Sequence, residues 1–189
     1  MKPGAGVARR LGALAVMFAL CQRAGAHSAS DAYLTLSAAS ATAPNGSVPN
    51  GSVPNARVLH GQWDIALRDL DFVLKLDDDG DGHLTWGEVR HHQAEIARYA
   101  YRYLHVDAGP GRDCAVNPTQ QLIDDHADGA YAALFFDVVC SGAPAKLTLT
   151  YDIFFSIDPS HRGIFVMHSG PDVATAVLSP QNARIELSL

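Results

Sequence analysis

The feature that most restricts this chain is one twelve-residue stretch, Asp77-Asp78-Asp79-Gly80-Asp81-Gly82-His83-Leu84-Thr85-Trp86-Gly87-Glu88. Carboxylates fall at its first, third, fifth and twelfth places (Asp77, Asp79, Asp81, Glu88), and glycine at its sixth (Gly82). Calcium takes six to eight hard oxygens at about 2.3–2.6 Å, and alternate aspartates followed by a distant bidentate glutamate can wrap them around one ion. Gly82 permits the sharp turn, because a residue without Cβ reaches positive φ at low cost. His83 holds the seventh place, which contributes a backbone carbonyl, so its imidazole is expected to point away from the ion; Thr85 would act directly or through a water. A solvated acidic turn would share the Asp and Gly content, but would not carry Glu88 in register with helices on both sides.

Those helices are read from apolar spacing. Leu67, Leu70, Val73 and Leu74 follow a helical period into the loop. On the far side Thr85 and Glu88 form the S/T-x-x-E capping pattern. The apolar positions Trp86, Val89, Ile96, Ala97, Ala100, Tyr103 and Leu104 then predict one helix of about five turns, or ~28 Å. Gly109-Pro110-Gly111 would stop it. From Leu67 to Leu104 the chain resembles the EF-hand family, and the resemblance implies Ca2+ held by Asp77, Asp79, Asp81, His83 (through its carbonyl) and Glu88.

The rest reads as strands. Asp31–Ser37 alternates, with Ala32, Leu34 and Leu36 on one side, and Arg57–Ala66 resumes the alternation. Between them Pro44-Asn45-Gly46-Ser47-Val48 is repeated as Pro49-Asn50-Gly51-Ser52-Val53, a turn-rich loop. Residues 129–139, 146–157, 163–168 and 173–178 are rich in β-branched and aromatic residues and separated by turn formers; 184–187 adds an edge strand. The expected fold is α+β: an antiparallel β-sandwich of about seven strands, with the EF-hand helix-loop-helix inserted after the second at about 67–104. Residues 27–189 then form a single domain.

Residues 1–26 read as a signal peptide: Lys2, Arg9 and Arg10, a short apolar run from Leu11 to Leu20, then Ala24-Gly25-Ala26. Its removal takes away four cations and no acid, moving the formal charge from −6 to −10. That balance argues against nucleic acid, whose phosphates require a basic face. Cys114 and Cys140 remain, and in an oxidising compartment such a pair is expected to form one disulfide. The chain is thus expected to be periplasmic or secreted, with no membrane span after the signal peptide.

Several phrases resemble the soluble N-terminal region of bacterial HupE/UreJ-like membrane proteins. They are Ala26-His27, Ser30-Asp31-Ala32-Tyr33-Leu34, Gln62-Trp63-Asp64-Ile65-Ala66-Leu67-Arg68-Asp69-Leu70-Asp71, Leu84-Thr85-Trp86-Gly87-Glu88 and Asp158-Pro159-Ser160-His161-Arg162-Gly163. In that family such a region generally precedes a multi-helix membrane domain associated with nickel permeases. Transport is not carried over, because no apolar stretch of 18 residues follows residue 26. The resemblance implies a membrane-protein partner, or attachment to the membrane if the chain is a fragment.

Three readings compete. The first is a non-catalytic, calcium-binding exported domain in which the ion is mainly structural. The second is a transition-metal (nickel or copper) accessory domain of a permease. For it, adjacent His91 and His92 project about 100° apart on a helix and chelate poorly together; His91 with Glu95 and Glu88, or His27 at a cleaved N-terminus, are the candidate ligands. The third is a hydrolase built on His161, but Asp158, Ser160 and His161 share one turn, whereas a triad converges from distant parts of a fold. Asp124–Gly129, aligned as a calcium loop from Asp124, has His126 at the third place and Phe135 at the twelfth, and reads as the turn entering a strand.

Overall fold

The computed structural model describes residues 30–38 and 57–189. The signal-like segment, His27 and the pentapeptide repeat lie outside the described residues. In chain order the elements are β1 (Asp31–Ala38), β2 (Arg57–Ala66), α1 (Leu67–Leu74), α2 (Trp86–His91), α3 (Gln93–Ala100) and a 3-10 turn (Tyr101–Tyr103). They continue with β3 (Leu104–Asp107), β4 (Ala115–His126), β5 (Gly129–Cys140), β6 (Lys146–Tyr151), β7 (Arg162–Ser169), β8 (Asp172–Leu178) and β9 (Arg184–Ser188).

The protein is mostly strand, as the alternating segments require. A six-stranded sheet runs β4-β5-β2-β1-β7-β8, and a three-stranded sheet runs β3-β6-β9. In β1 the period of two sends Ala32, Leu34 and Leu36 inward, where each is fully buried. Leu34 registers with Trp63 and Leu36 with Gly61 on β2. Gly61 leaves room for the Phe136 ring of β5: a Cβ there would lie 2.3 Å from Phe136 Cζ. Leu147, Leu149 and Tyr151 of the smaller sheet and Leu67, Leu70, Val89 and Ile96 of the helices join the same apolar cluster.

Two features depart from the expected all-antiparallel arrangement of about seven strands. First, β1 pairs with β7 in parallel, Asp31 opposite Arg162 and Ser37 opposite His168, so the larger sheet is mixed. A parallel pair needs a long connection, and the chain between β1 and β7 supplies it. Second, there are nine strands among the described residues. β4 is the addition that its sequence conceals: mostly exposed, carrying Pro118 and a register shift between Pro118 and Gln120, it is an edge strand held by its partner β5. β3 occupies the end of the expected second helix, and residues 152–157, expected to prolong β6, form turns instead.

That second helix is also broken. It ends at His91, restarts at Gln93, and gives way to the 3-10 turn at Tyr101. Trp86 is 53% exposed rather than packed inward. Gly109 and Gly111, both at positive φ, lie in the turn that lets Asp107 bridge Asp113. The Cys114–Cys140 disulfide is formed, with Cα atoms 4.4 Å apart, and it fastens the chain entering β4 to the end of β5. No helix among the described residues is long and apolar enough to cross a membrane.

Candidate metal centre

Each half of the acidic loop is anchored by its flanking helix. α1 ends in Lys75 at φ 58, whose N–H donates to the Asp71 carbonyl. Asp71 Oδ1 then accepts from the backbone N–H groups of Leu76 (2.8 Å) and Asp77 (3.2 Å), and buried Leu76 pins the entry. On the exit side the expected capping box is present. The Thr85 hydroxyl accepts from Glu88 N–H, and Glu88 Oε2 accepts from Thr85 N–H at 2.8 Å and from the Thr85 hydroxyl at 2.7 Å. Leu84 packs against the core.

Between these anchors the loop turns on its first aspartate. Asp77 Oδ1 accepts from the N–H of Gly80 (2.8 Å) and Asp81 (3.2 Å), and Oδ2 from the N–H of Gly82 (2.9 Å). Gly80 and Gly82 both have positive φ. Asp79 Oδ1 accepts from Asp81 N–H, and Asp81 Oδ1 from His83 N–H. Asp77, Asp79 and Asp81 consequently bring carboxylate oxygens within 4.8 Å of one another. His83 is exposed and Glu88 is buried. Glu88 is not one of the converging trio; its Oε1 accepts from Asp78 N–H at 2.9 Å, stitching α2 to the start of the loop.

The electrostatics divide these carboxylates. The N–H groups of Gly82, Gly80 and Asp81 hold the Asp77 carboxyl below the ordinary range. The Thr85 N–H and hydroxyl do the same for Glu88. At Asp79 the Asp81 N–H favours the anion, but repulsion from Asp81, Glu88 and Asp77, with desolvation, outweighs it and raises the carboxyl. Three close carboxylates with oxygen-only side-chain donors fit a hard divalent cation better than a transition metal.

A second cluster adjoins the loop and departs from the helical geometry expected for it. Both imidazoles reach Asp78: His91 Nδ1 lies 3.0 Å from Oδ2, and His92 Nε2 lies 3.0 Å from Oδ1. His92 Nδ1 is 2.9 Å from Glu95 Oε2, so Glu95 pairs with His92 rather than His91. The sequence hides this cluster because Asp78 occupies a non-ligand place of the loop and lies 13 and 14 positions from the two histidines.

His161 is assembled with partners distant in sequence. It is fully buried, with Nδ1 2.7 Å from Ser30 Oγ and Nε2 2.7 Å from the Tyr151 hydroxyl. Ser30 Oγ donates to Asp69 Oδ2 at 2.8 Å. A hydroxyl has one proton, so the neutral ring donates from Nδ1 to Ser30 and accepts at Nε2 from Tyr151. Burial pushes His161 down to about 4. The acid therefore bonds the serine, not the histidine, and the ring offers Ser30 no lone pair; a Ser-His-Asp relay needs the reverse. Ser160 is tied to Asp158 at 2.6 Å. A cavity of about 380 Å³ opens beside this network, lined by Ser30, Asp69, Phe72, Phe154 and Ile157 among others.

Farther off, Asp124–Gly129 contains the β4–β5 turn, as its composition suggests. His126 stacks on Tyr131 and lies 3.6 Å from Asp64. No model of a known protein family matches this sequence, and no curated protein matches it.

Proposed function

We propose that the protein is an exported, non-catalytic domain that binds one calcium ion in the loop 77–88, and that the ion is mainly structural. The observation that carries this reading is the meeting of Asp77, Asp79 and Asp81 in a loop already turned by the Gly80 and Gly82 backbone. Glu88 would complete the set by exchanging its bonds to Asp78 and Thr85 for the ion, with the His83 carbonyl as a further oxygen. In this reading the two sheets form a sandwich around the shared core, and the EF-hand, inserted after β2, clamps its helices onto it. The Cys114–Cys140 bond supports export to an oxidising compartment. The resemblance of several phrases to the N-terminal region of HupE/UreJ-like proteins is the ground for including a membrane-protein partner in this reading.

The core contact of Leu84 and the absence of a second loop of this kind in the sequence favour a structural ion over a sensor. The expected dissociation constant is about 10⁻⁶ to 10⁻³ M. Calorimetric titration of calcium into wild type and into Asp79→Asn tests the site, since Asp79 is exposed and caps neither helix. Heat for wild type with much less for the variant is expected. Equal binding by both, or none by wild type, overturns the proposal.

A further inference from the structure

We infer that Asp78, His91 and His92 form a second metal site, selective for borderline divalent ions of the zinc and copper class. Its ligand atoms are separate from those of the aspartate trio, so it does not rest on the calcium reading. Three ligand atoms, two imidazole nitrogens and one carboxylate oxygen, lie within 4.8 Å of one another. Each imidazole nitrogen is 3.0 Å from its own oxygen of the Asp78 carboxylate, His91 Nδ1 from Oδ2 and His92 Nε2 from Oδ1. Ligands about 2.0–2.1 Å from a tetrahedral zinc sit roughly 3.3 Å apart. The set, now within 4.8 Å, would close toward that spacing around an ion.

Two further features fit a metal site. His92 presents its second nitrogen to Glu95 at 2.9 Å, the carboxylate–histidine arrangement that fixes the ring of a ligating histidine. The rings of His91 and His92 are 5.1 Å apart and tilted by 50°, so their nitrogens approach one carboxylate from two directions. The helix is interrupted at His92, the residue whose ring spans Asp78 and Glu95. Nitrogen donors disfavour calcium and magnesium and suit zinc, copper or nickel. Three protein ligands leave at least one coordination position open, and side-chain exposures of 74% for His91 and 46% for Asp78 give access from solvent.

The test is calorimetry with zinc chloride on the untagged protein, in excess calcium so that the aspartate trio does not compete. Cobalt absorption in the visible supplies a spectroscopic check. One zinc per chain is expected. His91→Gln and His92→Gln should each weaken binding at least tenfold, Glu95→Gln by about tenfold, and His126→Gln should leave it unchanged. Asp79→Asn should lose calcium and keep zinc, which separates failure of either site from the other. Absence of zinc binding by wild type overturns the inference. So does a His91→Gln/His92→Gln double variant that binds zinc like wild type, or loss of binding in His126→Gln with the pair intact. Because His91 is exposed, its variant keeps the test valid even if the His92 variant folds poorly.

Discussion

Acidifying the protein should expose the cost of keeping His161 neutral. Its ring is fully buried, bonded to Ser30 and Tyr151, and held down to about 4 by burial, against 6.5 for a free histidine. A folded value below the unfolded one means that the unfolded chain binds more protons between the two. The contribution is thus complete above about pH 6.5 and is lost as pH falls toward 4. Across the whole interval the difference is worth about 3 kcal/mol, and the loss between pH 7 and pH 5 alone is about 2 kcal/mol. The assay is urea denaturation from pH 4 to pH 7 for wild type and His161→Gln, whose amide keeps a donor and an acceptor but does not titrate. The variant should be less stable at pH 7, and the gap should narrow by about 2 kcal/mol at pH 5. Parallel curves, or a ring resonance of His161 titrating near 6.5 in the folded protein, would refute the reasoning.

Reducing Cys114–Cys140, or replacing both with serine, should lower stability by about 3 kcal/mol on the loop-entropy account, read as a shifted denaturation midpoint. Gly61→Ala should be among the most damaging single-methyl additions, because its Cβ would meet the Phe136 ring at 2.3 Å; a loss of about 1–3 kcal/mol is expected. Trimming the ring in Gly61→Ala/Phe136→Leu should recover part of that loss in thermal unfolding. Calcium at 100 times its dissociation constant should add about 2.7 kcal/mol. The melting temperature with calcium should then exceed that with chelator by several degrees. An unchanged value with dye binding that rises on calcium addition would indicate a sensor groove instead.

What could be read from the residues depended on whether local chemistry decided the outcome. Alternation in β1 located Ala32, Leu34 and Leu36 in the core, and Thr85 with Glu88 marked a helix start that the structure keeps. The loop turn at Gly82 was equally local. The losses have a different cause. β4 carries Pro118, two glutamines and paired aspartates, and is a strand because β5 presents an edge to it, which no period within residues 115–126 records. Leu104 and Val106 suit either a helix end or a short strand, and pairing with β6 decides between them. Ser30 and His161 lie 131 residues apart, and only the parallel pairing of β1 with β7 makes them neighbours. The Asp78 cluster joins a loop residue to side chains 13 and 14 positions on, a placement set by how the loop folds back on the helix.

That parallel pairing also sets an order in time. Among the described strands β1 is made first, yet one of its two edges stays open until residues 162–169 arrive, 131 positions later at the Asp31–Arg162 register. At about 5–20 residues per second the wait is on the order of ten seconds. Throughout it, a strand bearing Ala32, Leu34 and Leu36 has an unmatched row of backbone donors and acceptors, the kind of edge that recruits other chains. The sheet can be completed only once Arg162 is present, and a chain interrupted before it leaves that edge of β1 without its β7 partner.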